Sequence, residues 1–140
     1  MRLKNKIAVV IGSSRGLGLS IAKGYKAEGA KGIITYLQKK EEATARYKEE
    51  NFEDLYNVDI RSRYSLQNFY SFLKTKYKKI DILVNNAGIN KTADFIDQTD
   101  EEWDSVIETN LTGVFRACQE LLGLISKGGK IINIGSLSGE

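Results

Sequence analysis

The sequence predicts an α/β protein built on a doubly wound parallel sheet of five strands. Five short apolar runs alternate with segments of helical periodicity, a glycine-rich loop follows the first run, and no repeat, linker or low-complexity segment interrupts the alternation. Strands bridged by helices lie parallel, because each helical crossover returns the chain to the same end of the sheet. With 140 residues, of which 41% are hydrophobic and 28% charged, the chain is expected to form a single domain, 1–140.

The predicted elements cover most of the chain. The strands are expected at residues 6–11, 32–36, 55–59, 80–85 and 130–134, and the helices at about 17–28, 40–50, 65–77 and 100–126. Thr99 and Glu102 form a capping-box pair at the start of the last and longest helix. This helix carries an apolar stripe at helical spacing, which we expect to face the core: Trp103, Val106, Ile107, Leu111, Val114, Phe115, Cys118, Leu122 and Ile125.

Composition excludes several classes of function. The chain has no histidine, which removes the Ser-His and Cys-His mechanisms of hydrolases. Its single cysteine, Cys118, leaves no internal disulfide and, without histidine, no set of zinc ligands. A net charge of +3 with scattered lysines argues against nucleic acid or a membrane surface as a partner. No stretch has transmembrane length and no signal peptide is recognised, so we expect a cytoplasmic protein.

The loop Gly12-x-x-x-Gly16-x-Gly18 stands between the first predicted strand and the first predicted helix. Glycine permits a tight turn and a close approach of the backbone to a pyrophosphate, and the helix N-terminus adds partial positive charge. The same glycines would also suit an ordinary turn. The apolar strand before them and the amphipathic helix after them favour a dinucleotide-binding loop.

Asparagines mark two further positions. Asn85-Asn86-Ala87-Gly88 follows the fourth strand, at the carboxyl edge where open α/β sheets bind ligands, and is expected to tie strands together and line a crevice. Asn110 falls within or beside the apolar stripe of the long helix, where a buried amide needs hydrogen-bond partners. Neighbouring backbone would satisfy that need without any function. Gly113 lowers helix propensity and indicates a close contact or a bend.

Together these motifs resemble those of the short-chain dehydrogenase/reductases, in the same order and spacing. The resemblance rests on the glycine loop, on the segment 85–88, on Asn110 within 110–115, and on Ser136 within 132–136. It covers the whole chain and implies a Rossmann-type fold. Residues 101–115 and 134–136 look most like the 3-oxoacyl-[acyl-carrier-protein] reductase branch of that family.

The resemblance implies NAD(P)-dependent hydride transfer at a carbonyl, with a small-molecule or acyl-carrier-bound substrate. Ser136 would hydrogen-bond the substrate oxygen, Asn110 would hold a water in the proton relay, and Asp59 would contact the adenine. No metal is implied, and a full-length form would be a homo-oligomer. The residues expected to bind the cofactor are Gly12, Ser14, Arg15, Gly16, Leu17, Gly18, Tyr36, Asp59, Ile60, Asn86, Ala87 and Gly88.

The chain departs from the family in its proton donor. The family's Tyr-x-x-x-Lys, in which the lysine lowers the tyrosine pKa, belongs shortly beyond Ser136, and the sequence given stops at Glu140. The spacing recurs at Tyr36 with Lys40 and at Tyr70 with Lys74, and both are interpreted as accidental matches. We therefore expect the C-terminal strands and helices of the family to be missing. We also expect the isolated chain to be prone to aggregation or to need a partner, because its fifth strand leaves an open edge, and to reduce no carbonyl measurably.

Charge favours NADP over NAD. NAD selection usually needs an acid near the end of the second strand, about twenty residues past the loop. Tyr36-Leu37-Gln38 stands there, while Arg15, Lys39 and Lys40 supply cations that suit a 2′-phosphate. These cations could equally be solvated surface.

Three functions remain open on the sequence alone. The chain could be the N-terminal part of a carbonyl reductase, a non-catalytic nucleotide-binding module, or a structural partner that docks through its fifth strand. Substrate identity is not readable from these residues.

Overall fold

The fold is a five-stranded parallel sheet in the order β3-β2-β1-β4-β5, which confirms the predicted class. The computed structural model describes residues 1–136. The chain order reverses between β1 and β4, so a crevice opens there at the carboxyl ends of the strands. The strands are β1 (Ile7–Ile11), β2 (Lys31–Tyr36), β3 (Asp54–Asn57), β4 (Ile80–Asn85) and β5 (Ile125–Asn133).

Helices lie on both faces of the sheet. The described residues form the α-helices α1 (Gly16–Ala27), α2 (Lys40–Glu49), α3 (Arg63–Tyr77), α4 (Asp100–Ile107) and α5 (Gly113–Leu121). A π-helical turn, Glu108–Thr112, joins α4 to α5, and two 3-10 turns stand at Phe95–Asp97 and Leu122–Leu124. Within residues 1–136, none of these helices combines the length and apolar character that crossing a membrane requires.

The core consists of two apolar layers that share the central strand. On β1, Val9 and Ile11 pack with α3 and α5, whereas Ala8 and Val10 pack with α1 on the opposite face. All four side chains are at most 1% exposed. Burial on both faces explains why this strand reads as an unbroken apolar run rather than an alternating one.

The helical region predicted over 100–126 is confirmed as far as Leu124, but it is not one regular α-helix. Thr99 and Glu102 do form the capping box that begins α4, but the π-helical turn breaks the helix at Glu108–Thr112 and β5 already begins at Ile125. The third strand ends earlier than predicted, at Asn57, and this places Asp59 in the loop that follows it.

The predicted core stripe on this region was wrong for the four of its nine residues that are exposed, whereas the other five are half-buried and Ile125 packs against the core. Trp103 and Phe115 are each 56% exposed, and Leu122 is 60% exposed. The buried side instead carries small residues near the sheet, with Ala117 fully buried. A Cβ on Gly113 would lie 2.7 Å from Cγ1 of Ile60, so glycine there permits the close approach that its low helix propensity indicated. Leu121, also fully buried on α5, shows that the inner side takes a bulky residue farther along the helix.

The strand β5 lies at one edge of the sheet. Within the described residues it pairs with β4 alone. Its side chains Ile132 and the neighbouring Ile134 are each 38% exposed. An open edge of this kind is the feature on which the expected aggregation depends.

Candidate dinucleotide-binding cleft

A cleft of about 450 Å³ opens at the carboxyl ends of β1, β2 and β4. Its walls come from the glycine loop, the end of β2, the loop after β3 and the loop after β4. Ten of the twelve predicted cofactor residues line it: Gly12, Ser14, Arg15, Gly16, Tyr36, Asp59, Ile60, Asn86, Ala87 and Gly88.

The three glycines of the loop have different physical roles. Gly12 has φ +74°, and a Cβ there would lie 2.7 Å from Cα of Ala87. A Cβ on Gly18 would collide with the carbonyl oxygen of Gly12 and with Nδ2 of Asn86. Gly16 has φ +57° and open space where a Cβ would stand. Gly12 and Gly18 therefore let the loop pack on the end of β4, and Gly16 leaves the cleft wall open to a ligand.

The two predicted loop residues that do not line the cleft are Gly18 and Leu17. Gly18 is buried behind the loop, and Leu17 is 58% exposed on the first turn of α1. Leu17 can contribute only its backbone N–H, which lies in the first turn of α1, where the helix carries partial positive charge.

A reciprocal pair of hydrogen bonds fixes the loop to β2, and the sequence analysis missed it. The Gly12 backbone N–H donates to Oγ1 of Thr35 at 3.0 Å, and the Thr35 backbone N–H donates to Oγ of Ser13 at 3.0 Å. Both hydroxyl-bearing residues are buried, Ser13 at 0% and Thr35 at 1% exposure. A strand-ending threonine opposite a loop serine is too common in sequences to be recognised without the pairing of β1 with β2.

The end of the cleft beside β2 carries both signs of charge. Arg15 is exposed at the N-cap of α1, and within residues 1–136 its side chain has no ion pair. Lys39 and Glu42 also line the cleft, with the Nζ and Oε2 atoms 3.8 Å apart. Glu42 was not predicted from the sequence, because spacing alone does not show that the first turn of α2 faces the cleft.

Asp59 lies in the cleft wall with its carboxylate held by Arg61. Oδ1 accepts from the Arg61 backbone N–H at 3.0 Å and from Nε at 2.9 Å, while Oδ2 accepts from Nη2 at 2.8 Å. The hydrogen bonds from this guanidinium hold the pKa of the Asp59 carboxyl below its usual range. The predicted adenine-contacting residue is thus half of an ion pair whose other half also lines the cleft.

Asn110 clamps the loop that follows β4. Its Oδ1 accepts from the Ile89 backbone N–H at 2.8 Å, and its Nδ2 donates to the Ile89 carbonyl oxygen at 2.8 Å. The residue is exposed rather than part of the core, and neighbouring backbone satisfies its amide. Its sequence neighbour Thr109 and its partner Ile89 both line the cleft. Asn110 therefore fixes the wall of the cleft from just outside it.

Ser136 is exposed and lies three residues beyond the end of β5. Neither Ser136 nor Asn110 is among the cleft-lining residues. The strand that leads to Ser136 is tied to its neighbour, because Nδ2 of Asn85 donates to Oδ1 of Asn133 at 2.8 Å and to Sγ of Cys118 at 3.3 Å. Among the described residues, no group of acidic side chains and cysteine could hold a metal ion.

The two Tyr-x-x-x-Lys spacings lie apart in the fold. Tyr36 lines the cleft at the end of β2, whereas Tyr70 packs half-buried against the core from α3. The Nζ atom of Lys74 lies 5.6 Å from the centre of the Tyr70 ring. The second pair is accounted for by packing.

The sequence model of the short chain dehydrogenase family matches residues 6–140. The chain belongs to the short chain dehydrogenase family. This confirms the resemblance drawn from the four motifs.

Two curated relatives of this short chain dehydrogenase are reductases by name. It is 38% identical over 138 residues to the acetoacetyl-CoA reductase of Rhizobium meliloti (strain 1021), covering 97% of this chain and 57% of the relative. It is 37% identical over 142 residues to the 3-oxoacyl-[acyl-carrier-protein] reductase FabG of Escherichia coli (strain K12), covering 99% and 58%. The chain thus spans a little under three fifths of the length of these relatives.

A solved structure of similar fold holds a cofactor. The Pseudomonas aeruginosa RhlG/NADP active-site complex superposes on this short chain dehydrogenase with a TM-score of 0.90 at 30% identity, covering 98% of this chain and 57% of that one.

Proposed function

We propose that this chain binds NADP and forms the cofactor-binding part of a reductase that acts on the carbonyl of a 3-oxoacyl thioester. The observation that carries the proposal is the cleft between the glycine loop and the end of β4, where Gly16 leaves the wall open and α1 directs its N-terminus. The names of the acetoacetyl-CoA and 3-oxoacyl-[acyl-carrier-protein] reductases support the substrate class.

The residues present fit the pyrophosphate of a dinucleotide. The loop adopts left-handed φ values at Gly12 and Gly16, which glycine allows without strain. A substituent at Gly12 would displace Ala87. The absence of bulk at Gly16 and the N–H groups of the first turn of α1 provide the space and the donors that a phosphate needs.

Cationic side chains favour a 2′-phosphate over a free 2′-hydroxyl. Arg15 lines the cleft and has no ion pair within the described residues. Lys39 shares its charge with Glu42. The end of β2 carries Tyr36-Leu37-Gln38 rather than the acid that usually holds the ribose of NAD. NADP support therefore rests chiefly on Arg15.

Bound NADPH would supply the hydride that reduces the carbonyl carbon. Ser136 would hold the carbonyl oxygen by a hydrogen bond. Asn110 would keep the loop at Ile89 in place through its two hydrogen bonds, and the π-helical turn in which it lies departs from the regular helical hydrogen-bond ladder. The family resemblance leads us to expect a water here. Because the Asn110 side chain is already hydrogen-bonded to Ile89, that water would bond to main-chain groups of the π-helical turn. A cytoplasmic location and a homo-oligomeric full-length form stay predictions.

Titration calorimetry with NADPH and NADH tests the cofactor. Arg15→Ala is expected to weaken NADPH binding by roughly tenfold, the size of one charge-assisted hydrogen bond, and NADH binding far less. Arg46→Ala is the matched control, because Arg46 is an exposed arginine on α2 that pairs with Glu49 and does not line the cleft. Equal losses for both cofactors would overturn the preference for NADP, and absence of binding to either would overturn the whole proposal.

Activity is tested separately. Purified 140-residue chain is expected not to oxidise NADPH in the presence of a 3-oxoacyl thioester, since no tyrosine–lysine pair of the described residues is assigned as proton donor. Steady oxidation of NADPH that depends on the thioester would contradict this expectation.

A further inference from the structure

The ion pair of Asp59 and Arg61 occupies the cleft wall where a purine base is expected. Both residues line the cleft, and the Asp59 side chain is 27% exposed against 46% for Arg61. The pairing is bidentate, with Nε on Oδ1 and Nη2 on Oδ2. The two residues are only two positions apart in the sequence.

The loop that carries this pair is itself held in place. The Arg61 carbonyl oxygen accepts from Nη1 of Arg116 at 2.5 Å, and the same Nη1 donates to Oε1 of Glu108 at 2.5 Å. Arg116 belongs to α5 and Glu108 to the π-helical turn. The side chain of Arg61 therefore projects from a backbone that is fixed to the helix beside it.

The guanidinium has donors to spare. A guanidinium offers five N–H groups, and the Nη1 group of Arg61 makes no hydrogen bond to Asp59. Both carboxylate oxygens of Asp59 already accept from Arg61, although each keeps a further lone pair. The wall thus presents an acceptor and a donor side by side, where an unpaired aspartate would present acceptors alone.

Two kinds of purine differ at the group that would meet this wall. Adenine carries an exocyclic amine, which donates, whereas hypoxanthine carries a carbonyl oxygen in the same place, which accepts. A lone carboxylate accepts a hydrogen bond from the amine and repels the carbonyl oxygen. When the carboxylate is paired with a guanidinium, Asp59 can accept a hydrogen bond from the amine, and Arg61 can donate one to the carbonyl oxygen.

We infer that the Asp59–Arg61 pair makes the base subsite of the cleft tolerant, so that a dinucleotide with a hypoxanthine base binds about as well as one with adenine. This inference rests on the proposed function, since it concerns the base of the same dinucleotide. Arg61 is its specificity-determining residue.

Calorimetric titration of the full chain with NADPH and with its hypoxanthine analogue tests the inference. The wild-type affinities are expected to agree within about threefold, because either base finds a charge-assisted partner. In Arg61→Leu the adenine form should be favoured by roughly tenfold or more, because the carbonyl oxygen then faces an unneutralised carboxylate. Arg61→Lys keeps the charge but loses the planar fork, so its ratio should fall between the two.

Arg63→Leu is the matched control. Arg63 is two residues along the chain, is exposed, pairs with Glu120 and does not line the cleft, so its variant should keep the wild-type ratio. A wild-type preference for adenine beyond tenfold, or an unchanged ratio in both Arg61 variants, would overturn the inference while leaving NADP binding intact. Failure of wild-type chain to bind either dinucleotide would instead overturn the proposed function, and this inference with it.

Discussion

Asn86 donates from its side-chain Nδ2 to the carbonyl oxygen of Gly12 at 2.8 Å. This bond joins the loop after β4 to the glycine loop after β1, and both loops line the cleft. The backbone N–H of Asn86 donates in turn to the carbonyl oxygen of Ile11 at 3.3 Å. The shape of the cleft floor therefore depends on a side chain that forms no part of the glycine motif.

Replacing Asn86 with alanine should widen the cleft and destabilise the fold. The Gly12 carbonyl loses its side-chain partner, which costs about 1–3 kcal/mol of the free energy of unfolding. Urea denaturation followed by circular dichroism measures the loss, and calorimetry measures the accompanying loss of NADPH affinity. Asn68→Ala on α3 is the control, because Asn68 is exposed and lies outside the cleft. Equal effects of the two substitutions would contradict the role given to Asn86.

Two glycines of α1 should respond oppositely to alanine. A Cβ on Gly18 would collide with Gly12 and Asn86, whereas a Cβ on Gly24 meets nothing within 4 Å. Gly18→Ala should therefore displace the loop and abolish cofactor binding. Gly24→Ala should raise the free energy of unfolding by up to about 1 kcal/mol through helix propensity. The two thermal midpoints decide the matter, and a Gly18 variant as stable and as competent in binding as wild type would refute the packing argument.

Asn110 should protect the amide of Ile89 from exchange with solvent. In Asn110→Ala both hydrogen bonds to Ile89 are lost, so the loop should open more often and its amide should exchange faster in deuterium. We expect a stability loss of about 1–2 kcal/mol, in line with two partly exposed bonds. Gln119→Ala, exposed on α5, serves for comparison. If the Ile89 amide exchanges as slowly in the variant as in wild type, the two hydrogen bonds of Asn110 do not stabilise the loop.

Asp81 should make stability depend on acid pH. Burial alone would raise the pKa of its carboxyl, but hydrogen bonds from the Ile7 backbone N–H at 3.0 Å, Ser126 Oγ at 2.9 Å and Lys6 Nζ at 3.2 Å outweigh burial and lower it. Because the carboxyl has a lower pKa in the folded chain than in the unfolded chain, where it is near 3.9, its charge stabilises the fold at pH values above the unfolded pKa. That stability is lost as the pH falls through the pKa of the folded state.

The test compares Asp81→Asn with wild type by urea denaturation. The variant should be less stable at about pH 7, and the gap should shrink as the pH falls through the lowered pKa of folded Asp81, where protonation removes the charge from wild type as well. Asp104→Asn gives the reference, since Asp104 is exposed on α4. A gap that stays constant with pH would exclude titration of Asp81 as its source.

Local sequence patterns were sufficient for the sheet and for most of the cleft. The run 7–11 and the glycine loop after it predicted β1 and its turn, because apolar strands and left-handed glycines depend on adjacent residues. That Asp59 lines the cleft was predictable in the same way, although it lies in the loop after β3 rather than at the end of the strand. Its pairing with Arg61 was not, because a side chain at that position can equally point to solvent.

The region after residue 100 was less predictable for a physical reason. Helical periodicity assumes a constant advance per residue, and the π-helical turn at Glu108–Thr112 breaks that assumption. The apolar residues Trp103, Phe115 and Leu122 then fell on the outer side. Hydrophobicity alone also did not indicate the buried side of α5, which carries the small residues Gly113 and Ala117 together with Leu121.

The π-helical turn acts as a phase shift between α4 and α5. Each residue of an α-helix advances the chain by about 100° around the axis, so one extra residue in Glu108–Thr112 sets the angular position of everything downstream. If all five residues of this turn were forced into regular α-helical geometry, α5 would rotate by the angle of one residue, ~100°, and Gly113 would turn away from Ile60. Phe115 would rotate about the helix axis as well, and the loop at 59–61 would lose the hydrogen bond from Arg116 to the Arg61 carbonyl oxygen. The geometry of this one turn thus determines both how α5 packs on Ile60 and where the loop at 59–61 lies in the cleft wall.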